Sequence, residues 1–412
     1  MQTHQRVYIA SFIMSAAGVM PAKAGFFYAR SRLGFGEYEN LLLGLLGGCM
    51  FLLCALCSHG VAMRVGARRL LLGSIVAQVM LQVVLWAAAS PWTVYGCMPL
   101  SVGLWGFIWP VMESYAVAGR TPTQASRALG GFNVAWASGN PLGLILAGPL
   151  IASQGAGLFL VGAGLMLTVL PRLAPLSAEP THLPDDHPER LTPQQTAELR
   201  AFLISSRWIM LGGGIVLNLV TPLLPSILER DLGIATTWST SVAALIDISR
   251  FAAFVIFQHT IGWHGRRAAH YLAALALPIS FILIRSSVSV PTVILGEVML
   301  GLLHGAAFHL GLYYGALVKH ASVDAGGKHE AMAGVGIVVG PVTGLASKSI
   351  AAWASGPTLG LAKGAGLALG SALAVGPIIA LTTVGGIWPL RRHITLTPAS
   401  LPEVAPPPAH AE

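Results

Sequence analysis

The chain reads as a succession of long apolar stretches separated by short polar turns. A helix crossing the hydrocarbon layer needs about 20 residues. Stretches of that length lie near 7-29, 38-58, 69-89, 93-118, 128-152, 156-175, 203-228, 237-261, 268-287, 291-318, 330-353 and 364-387. The pattern predicts an all-α integral membrane protein with twelve transmembrane helices. Gly and Pro inside the stretches are compatible with helix, because in lipid the backbone must satisfy its own hydrogen bonds. A β-barrel is excluded by runs such as Leu70 to Val84, which lack the alternating polar residues that face a lumen.

Composition narrows the class further. Asp, Glu, Lys and Arg make up 10% of the 412 residues, against about 25% in a soluble domain. Mean hydropathy is +0.70. A soluble enzyme, a disordered chain and a nucleic-acid-binding domain are ruled out. The net charge of +8 is spread in ones, twos and threes between apolar runs, as membrane anchors are, and no nucleic acid partner is expected. Arg6, the run Val7 to Met20 and the Ala22-Lys23-Ala24 triplet imitate a cleavable signal peptide. Cleavage before Gly25 would leave eleven spans, and the segment is read here as the first span.

Basic residues in the short connections give the orientation. One set of ends carries Arg6, Arg64, Arg68, Arg69, Arg120, Arg127, Arg266, Arg267, Lys319, Lys328, Arg391 and Arg392. The other carries chiefly Lys23, Arg30, Arg32, Arg230 and Arg285. The bias places both termini in the cytoplasm and the protein in the cell (inner) membrane.

The connection from Pro175 to Arg200, with Glu179, Asp185, Asp186, Glu189 and Glu198, is the only internal polar segment. It divides the chain into an N-terminal six-helix half over 1-175, a cytoplasmic loop over 176-200 and a C-terminal six-helix half over 201-390. Thr192-Pro193 with Gln194 and Gln195 predicts a short helix on the membrane surface. The Pro-rich tail over 391-412 reads as disordered. Cys49, Cys54, Cys57 and Cys97 fall inside spans 2 and 4 and imply no disulfide framework.

The halves repeat. A shift of 199 residues sets Gly66 on Gly265, Arg68 on Arg267, Gly106 on Gly305 and Tyr115 on Tyr314. A shift of 197 sets Gly139 on Gly336 and Gly143 on Gly340 in the fifth span of each half.

These residues resemble the major facilitator superfamily, whose members have twelve spans in two six-helix bundles and a basic loop after spans 2 and 8 with the pattern G-x-x-x-D-R-x-G-R-R. The loops here run Arg64-Val65-Gly66-Ala67-Arg68-Arg69 and Trp263-His264-Gly265-Arg266-Arg267, with Met63 and Gly262 where the Asp would stand. In the family this loop is thought to latch helix ends together, the acid facing a helix N-terminus. Without it, Arg64, Arg68, Arg266 and Arg267 must reach helix C-termini or other acids, or serve only as membrane anchors. Span 11 carries Gly336-x-x-x-Gly340-Pro341-x-x-Gly344, similar to the G-x-x-x-G-P-x-x-G-G stretch of family antiporters on span 5. Span 5 keeps Gly139 and Gly143 but has Leu144 at the proline position. The small residues imply tight packing of spans 5 and 11 across the interface between halves. Span 4 lacks the Arg usual in drug/proton antiporters, and no branch is identified.

A charge near the membrane centre costs about 2.5-3.5 kcal/mol and persists where it faces protein or water. Of the sixteen acids, Glu113, Asp247 and Glu297 fall well inside spans. Asp247 and Arg250 are three residues apart and close enough to pair. That pair is either a structural lock or one that opens to hold an anionic group and take a proton. Glu297 and His304, seven apart on one face of span 10, are a second candidate for binding and releasing a proton. His309 reads as an interior histidine on another face.

In the family fold the first, second, fourth and fifth spans of each half line a central cavity. Asn133, Asn140, Asn218, Asp247, Arg250, Glu297 and His304 all occupy such spans, with Gln78 and Gln82 on span 3 as exceptions. The expected function is secondary active transport of a small molecule by alternating access, with protons as a candidate coupling ion. No P-loop motif, metal or other cofactor is expected, and a monomer among membrane lipids is. The competing class is a receptor or membrane enzyme on the same fold, for which His304, His309, His320 and His329 with Glu330 are the best support, though their spacings match no zinc pattern. Arg250, Lys23 and Lys348 hint at an anionic group on the cargo, and Trp105, Trp109, Tyr313 and Tyr314 at an aromatic or amphipathic body.

Overall fold

A computed structural model describes residues 3–120, 122–180, 193–260, 263, 265–286, 289–319, 323–356, 359 and 362–391. His264, His320, Gly262, the loop acids Asp185, Asp186 and Glu189, and the tail from Arg392 lie outside the described residues.

The helices are α1 (Thr3–Val19), α2 (Gly25–Leu33), α3 (Glu37–Val65), α4 (Ala67–Ala87), α5 (Pro91–Val117), α6 (Pro122–Gln154) and α7 (Gly157–Leu173), then α8 (Pro193–Val220), α9 (Thr236–His259), α10 (Arg267–Ser286), α11 (Val290–Lys319), α12 (Val323–Ser355), α13 (Lys363–Ala374) and α14 (Gly376–Ile387). Among the described residues, eleven helical stretches are long and apolar enough to cross a membrane, and Gly157–Leu173 is a shorter apolar helix. The protein is a multi-pass membrane protein. Its outer surface carries side chains such as Leu53, Leu56, Leu272 and Ile282, all more than half exposed, as lipid-facing positions require.

The first span, Thr3–Leu33, is made of α1 and α2 joined by a π turn over Met20–Ala24. Pro21 has no N–H to donate, so the helical ladder cannot run through it in regular α form. π turns of this kind interrupt helices at functional sites. The last span breaks at Val375, ahead of the Gly376-Pro377 pair, into α13 and α14. Among the described residues, the expected surface helix at Pro193, Gln194 and Gln195 is not separate from span 7. Pro193 opens α8, which continues unbroken to Val220, and the burial of Leu199 and Phe202 ties its first turns to the core.

Contacts divide the helices into two groups. In the first six spans, α1 packs on α6 and α7, and α5 on α3 and α4. In the last six, α8 packs on α11, α12 and α14, and α11 on α9 and α10. Two seams join the groups, α6 against α9 and α3 against α12. The repeat is visible in the packing. Gly106 lets α5 approach the α3 backbone at Phe51, while its equivalent Gly305 lets α11 approach α9 at Arg250.

The glycine motif packs differently from expectation. A Cβ on Gly139 or Gly143 would strike the α1 backbone at Phe12 and Ala16. A Cβ on Gly336 or Gly340 would meet the α8 backbone at Gly214 and Ile215. These four glycines therefore bind span 5 to span 1 and span 11 to span 7 within each group, not across the interface. Residues four apart share one helix face, and on α6 and α12 that face looks inward to the same group. Close approach between the groups uses Gly48 against the α12 backbone at Ile337 and Gly148 against α9 at Thr237. Of the motif, Pro341 and Gly344 do look across, toward Gly44 and Leu41 of α3.

Candidate functional site

The basic loop after span 2 fixes one end of the molecule. Gly66 links α3 to α4 at φ 90°, and its equivalent Gly265 turns at φ 64°, conformations that side chains with a Cβ rarely adopt. The missing loop acid is supplied from elsewhere. Glu179, from the segment after α7, accepts a hydrogen bond from the Ala67 N–H at 3.0 Å, at the positive end of α4. Arg68 donates to the Leu176 carbonyl at 2.8 Å, just past the C-terminus of α7. Tyr115 donates to the Ser177 carbonyl at 2.7 Å, while Tyr314, its equivalent, accepts from the Gly265 N–H at 3.2 Å. Arg64, Arg69 and Arg266 are exposed at the same end. Arg267 begins α10 beside them.

A cavity of about 270 Å³ lies at mid-depth between the two groups of spans. Its wall includes Lys23, Trp105, Trp109, Glu113, Trp136 and Asn140 from the first six spans, and Asn218, Arg250, His304 and Glu330 from the last six. Lys23 was expected at a membrane edge. The π turn instead brings it into the bundle, where its ammonium donates to both oxygens of Asp247 at 2.7 Å. Arg250 also donates to Asp247, so one fully buried carboxylate holds two cations. Asp247 and Lys23 share a small adjoining cavity. The Arg250 guanidinium lies 5.0 Å over the Trp136 ring. With its amide turned so that the oxygen faces the guanidinium, Asn140 accepts from Arg250 at 3.1 Å and donates to the Ser15 carbonyl at 3.3 Å. The expected Asp247–Arg250 pair is thus a triad that joins the two groups of spans.

Glu113 is buried on α5 and hydrogen-bonded to Glu330 of α12. Glu330 was expected close to a membrane edge. Because α12 starts at Val323, it lies two turns inside the helix, and only 5% of it is exposed. Two ionised carboxylates can only accept, so this hydrogen bond requires that at least one of the two carry a proton.

Glu297 and His304 sit in different surroundings. Glu297 is fully buried away from the cavity, and neither oxygen has a hydrogen-bond partner among the described residues. His304 faces the cavity with Nδ1 unpartnered. Seven residues on a helix is two turns, about 10 Å, too far for direct contact. His309 is also outside the cavity wall, packed among the Phe254, Phe257 and Trp263 rings. Tyr313 and Tyr314 belong to that aromatic cluster and not to the cavity. Asn218 donates to the Gly214 carbonyl of its own helix at 2.8 Å. On span 3, Gln78 exchanges hydrogen bonds with Ser101, fastening α4 to α5. Among the described residues, no three His, Cys, Asp or Glu side chains gather as metal ligands would.

At the end opposite the termini, Glu37 of α3 accepts from Arg230 at 2.6 Å and from Lys348 of α12. Asn40 donates to the Pro222 carbonyl at 3.2 Å nearby. These bonds tie the groups together on that side of the cavity.

Two six-span groups around a central cavity define the major facilitator fold, and the chain has it. No protein-family model and no curated protein matches the sequence. Solved structures match over nearly its full length. The human organic anion transporter MFSD10 (TETRAN) is 16% identical with a TM-score of 0.63, over 93% of this chain and all of that one. The nucleoside transporter NupG is 12% identical at 0.62, over 95% and all. A POT family transporter in complex with 5-aminolevulinic acid is 13% identical at 0.71, over 94% and 96%.

Proposed function

We propose that the chain is a secondary active transporter that moves a small molecule by alternating access. The observation that carries this reading is the cavity itself. Both groups of spans line it at mid-depth, and a triad of buried charges contributed by both groups stands at its wall. Buried charges in a membrane persist where they line a pathway, and rigid groups rocking around a midplane site give alternating access. The solved structures that share the fold are named as transporters of organic anions and nucleosides, which supports the class without choosing the cargo.

In this reading, residues 1-175 and 201-390 are the rocking units, 176-200 the connecting loop and 391-412 a tail. The basic bias puts both termini in the cytoplasm and the monomer in the cell membrane. The pathway residues in this reading are Glu113, Asn218, Asp247, Arg250 and His304, together with Lys23 and Glu330, which line the same cavity. Protons couple at Glu113 and Glu330, because full ionisation of the pair leaves two carboxylates repelling each other across the interface. Proteoliposomes holding the purified protein, given a pH gradient and a metabolite mixture, test this. Selective accumulation that collapses with the gradient supports it. Accumulation that ignores the gradient removes the carboxyl pair from coupling, and no selective accumulation in either direction removes transport.

A further inference from the structure

We propose that the cargo is a zwitterion, carrying an anionic group and a protonated amine at opposite ends of a flat apolar body. This rests on the cavity being the transport site and adds the chemical class of what enters it.

The charges divide into two poles. At one, Lys23 and Arg250 flank Asp247, two cations to one anion, leaving a net charge of +1. Arg250 is only 5% exposed, yet its Nε has no hydrogen-bond partner among the described residues, and the side chain lines the cavity. A buried guanidinium with an unused donor suits an incoming carboxylate or phosphate oxygen. At the other pole, Glu113 and Glu330 are both buried and line the cavity, and an ionised carboxylate there offers only acceptors to an incoming ammonium.

Indole faces separate the poles. Trp105 and Trp109 stack at 5.0 Å, and Trp136 lies 6.2 Å from Trp109. Arg250 sits over Trp136, and Glu113 is one helical turn past Trp109, about 6 Å along the axis. The Trp136 and Trp109 rings therefore stand between the two poles. The cavity, at about 270 Å³, falls below the roughly 300–1,000 Å³ of pockets that take drug-sized compounds. An anion without an amine would leave the carboxyl pair facing uncompensated negative charge. A cation without an acid would face the positive triad. Only a molecule with both charges matches both walls.

The test is calorimetric binding to the purified full-length protein. The probes are the para-aminomethyl derivatives of benzoate, phenylacetate and phenylpropionate, whose charge separations increase one methylene at a time. Each is compared with its methyl ester, which keeps only the cation, and its N-acetyl form, which keeps only the anion. At least one zwitterion should bind about tenfold or more tightly than both of its partners. In Glu113→Gln with Glu330→Gln, the advantage over the N-acetyl form should vanish while that over the ester remains. Glu113→Ala with Glu330→Gln, which also removes both acids, reads the same effect where the first double variant does not fold. Equal binding of a singly charged form, no binding of any of the three zwitterions, or an advantage untouched by the Gln variants overturns the inference. Zwitterion binding without flux in proteoliposomes would refute transport and leave this inference standing. Flux of a singly charged cargo without zwitterion binding would do the reverse.

Discussion

The triad makes an asymmetric prediction about its members. Asp247 is fully buried and is the common partner of two cations, Lys23 at 22% side-chain exposure and Arg250 at 6%. Asp247→Asn strips both of their counter-charge and takes the cluster from +1 to +2. Removing one partner of a buried ion pair costs about 3–5 kcal/mol, and the upper part of that range is expected here. Lys23→Met leaves Asp247 and Arg250 as a neutral pair and loses one charge-assisted partnership, about 1.5–3 kcal/mol. Combining the two returns the cluster to a single positive charge. The double variant should therefore be more stable than the sum of the single losses by about 1–3 kcal/mol, as interacting neighbours are. SDS-driven unfolding of the purified chain in mixed micelles measures all four forms. Equal costs for Asp247→Asn and Lys23→Met, adding without interaction, would refute the shared-carboxylate reasoning.

Three further outcomes follow from other parts of the molecule. Glu37→Gln removes the acceptor shared by Arg230 and Lys348. At about 0.2–1 kcal/mol per partly exposed pair, it should raise the rate at which an impermeant maleimide labels Thr221→Cys from that end, in a chain lacking its four native cysteines. An unchanged rate contradicts the latch. Gly340→Ala puts a Cβ against the Ile215 carbonyl of α8, whereas Gly164→Ala enters open space. The first should cost about 1–3 kcal/mol by overpacking and the second should be neutral or stabilising, a difference that thermal unfolding in detergent resolves. Glu179→Gln should cost about 0.3–1 kcal/mol by removing the acid from the α4 N-terminus, and hydrogen exchange at the Ala67 amide should quicken. Exchange as slow as in the native chain counts against that bond.

The spans were legible in the sequence because apolar runs of membrane length have no other soluble use, and the repeat was legible because Gly66 and Gly265 serve the same turn. The site was legible where charged, amide, imidazole or indole side chains sat mid-run, as at Glu113, Asp247, Arg250, Asn140, Asn218, His304 and Trp109. Lys23 lies within the span read over 7-29, but its pairing with Asp247 was not legible, because it depends on the π turn that aims the lysine at α9. Glu330 escaped because the polar run before it hides the start of α12. Glu297 is the converse, an acid deep in a span whose helix face turns it away from the cavity. The glycine motif showed that helices would approach closely, but only the three-dimensional partners reveal that most of that contact is within one group of spans.

The central claim is that two rigid groups rock around the cavity, and paired spin labels test it without knowing the cargo. One pair goes at Trp92→Cys and Trp238→Cys, exposed at the starts of α5 and α9, and the other at Met63→Cys and His259→Cys, exposed at the far ends of α3 and α9. Pulsed electron–electron resonance in nanodiscs across a range of pH should give two distance populations for each pair, one pair lengthening as the other shortens. A single fixed distance at both ends under every condition would contradict the account.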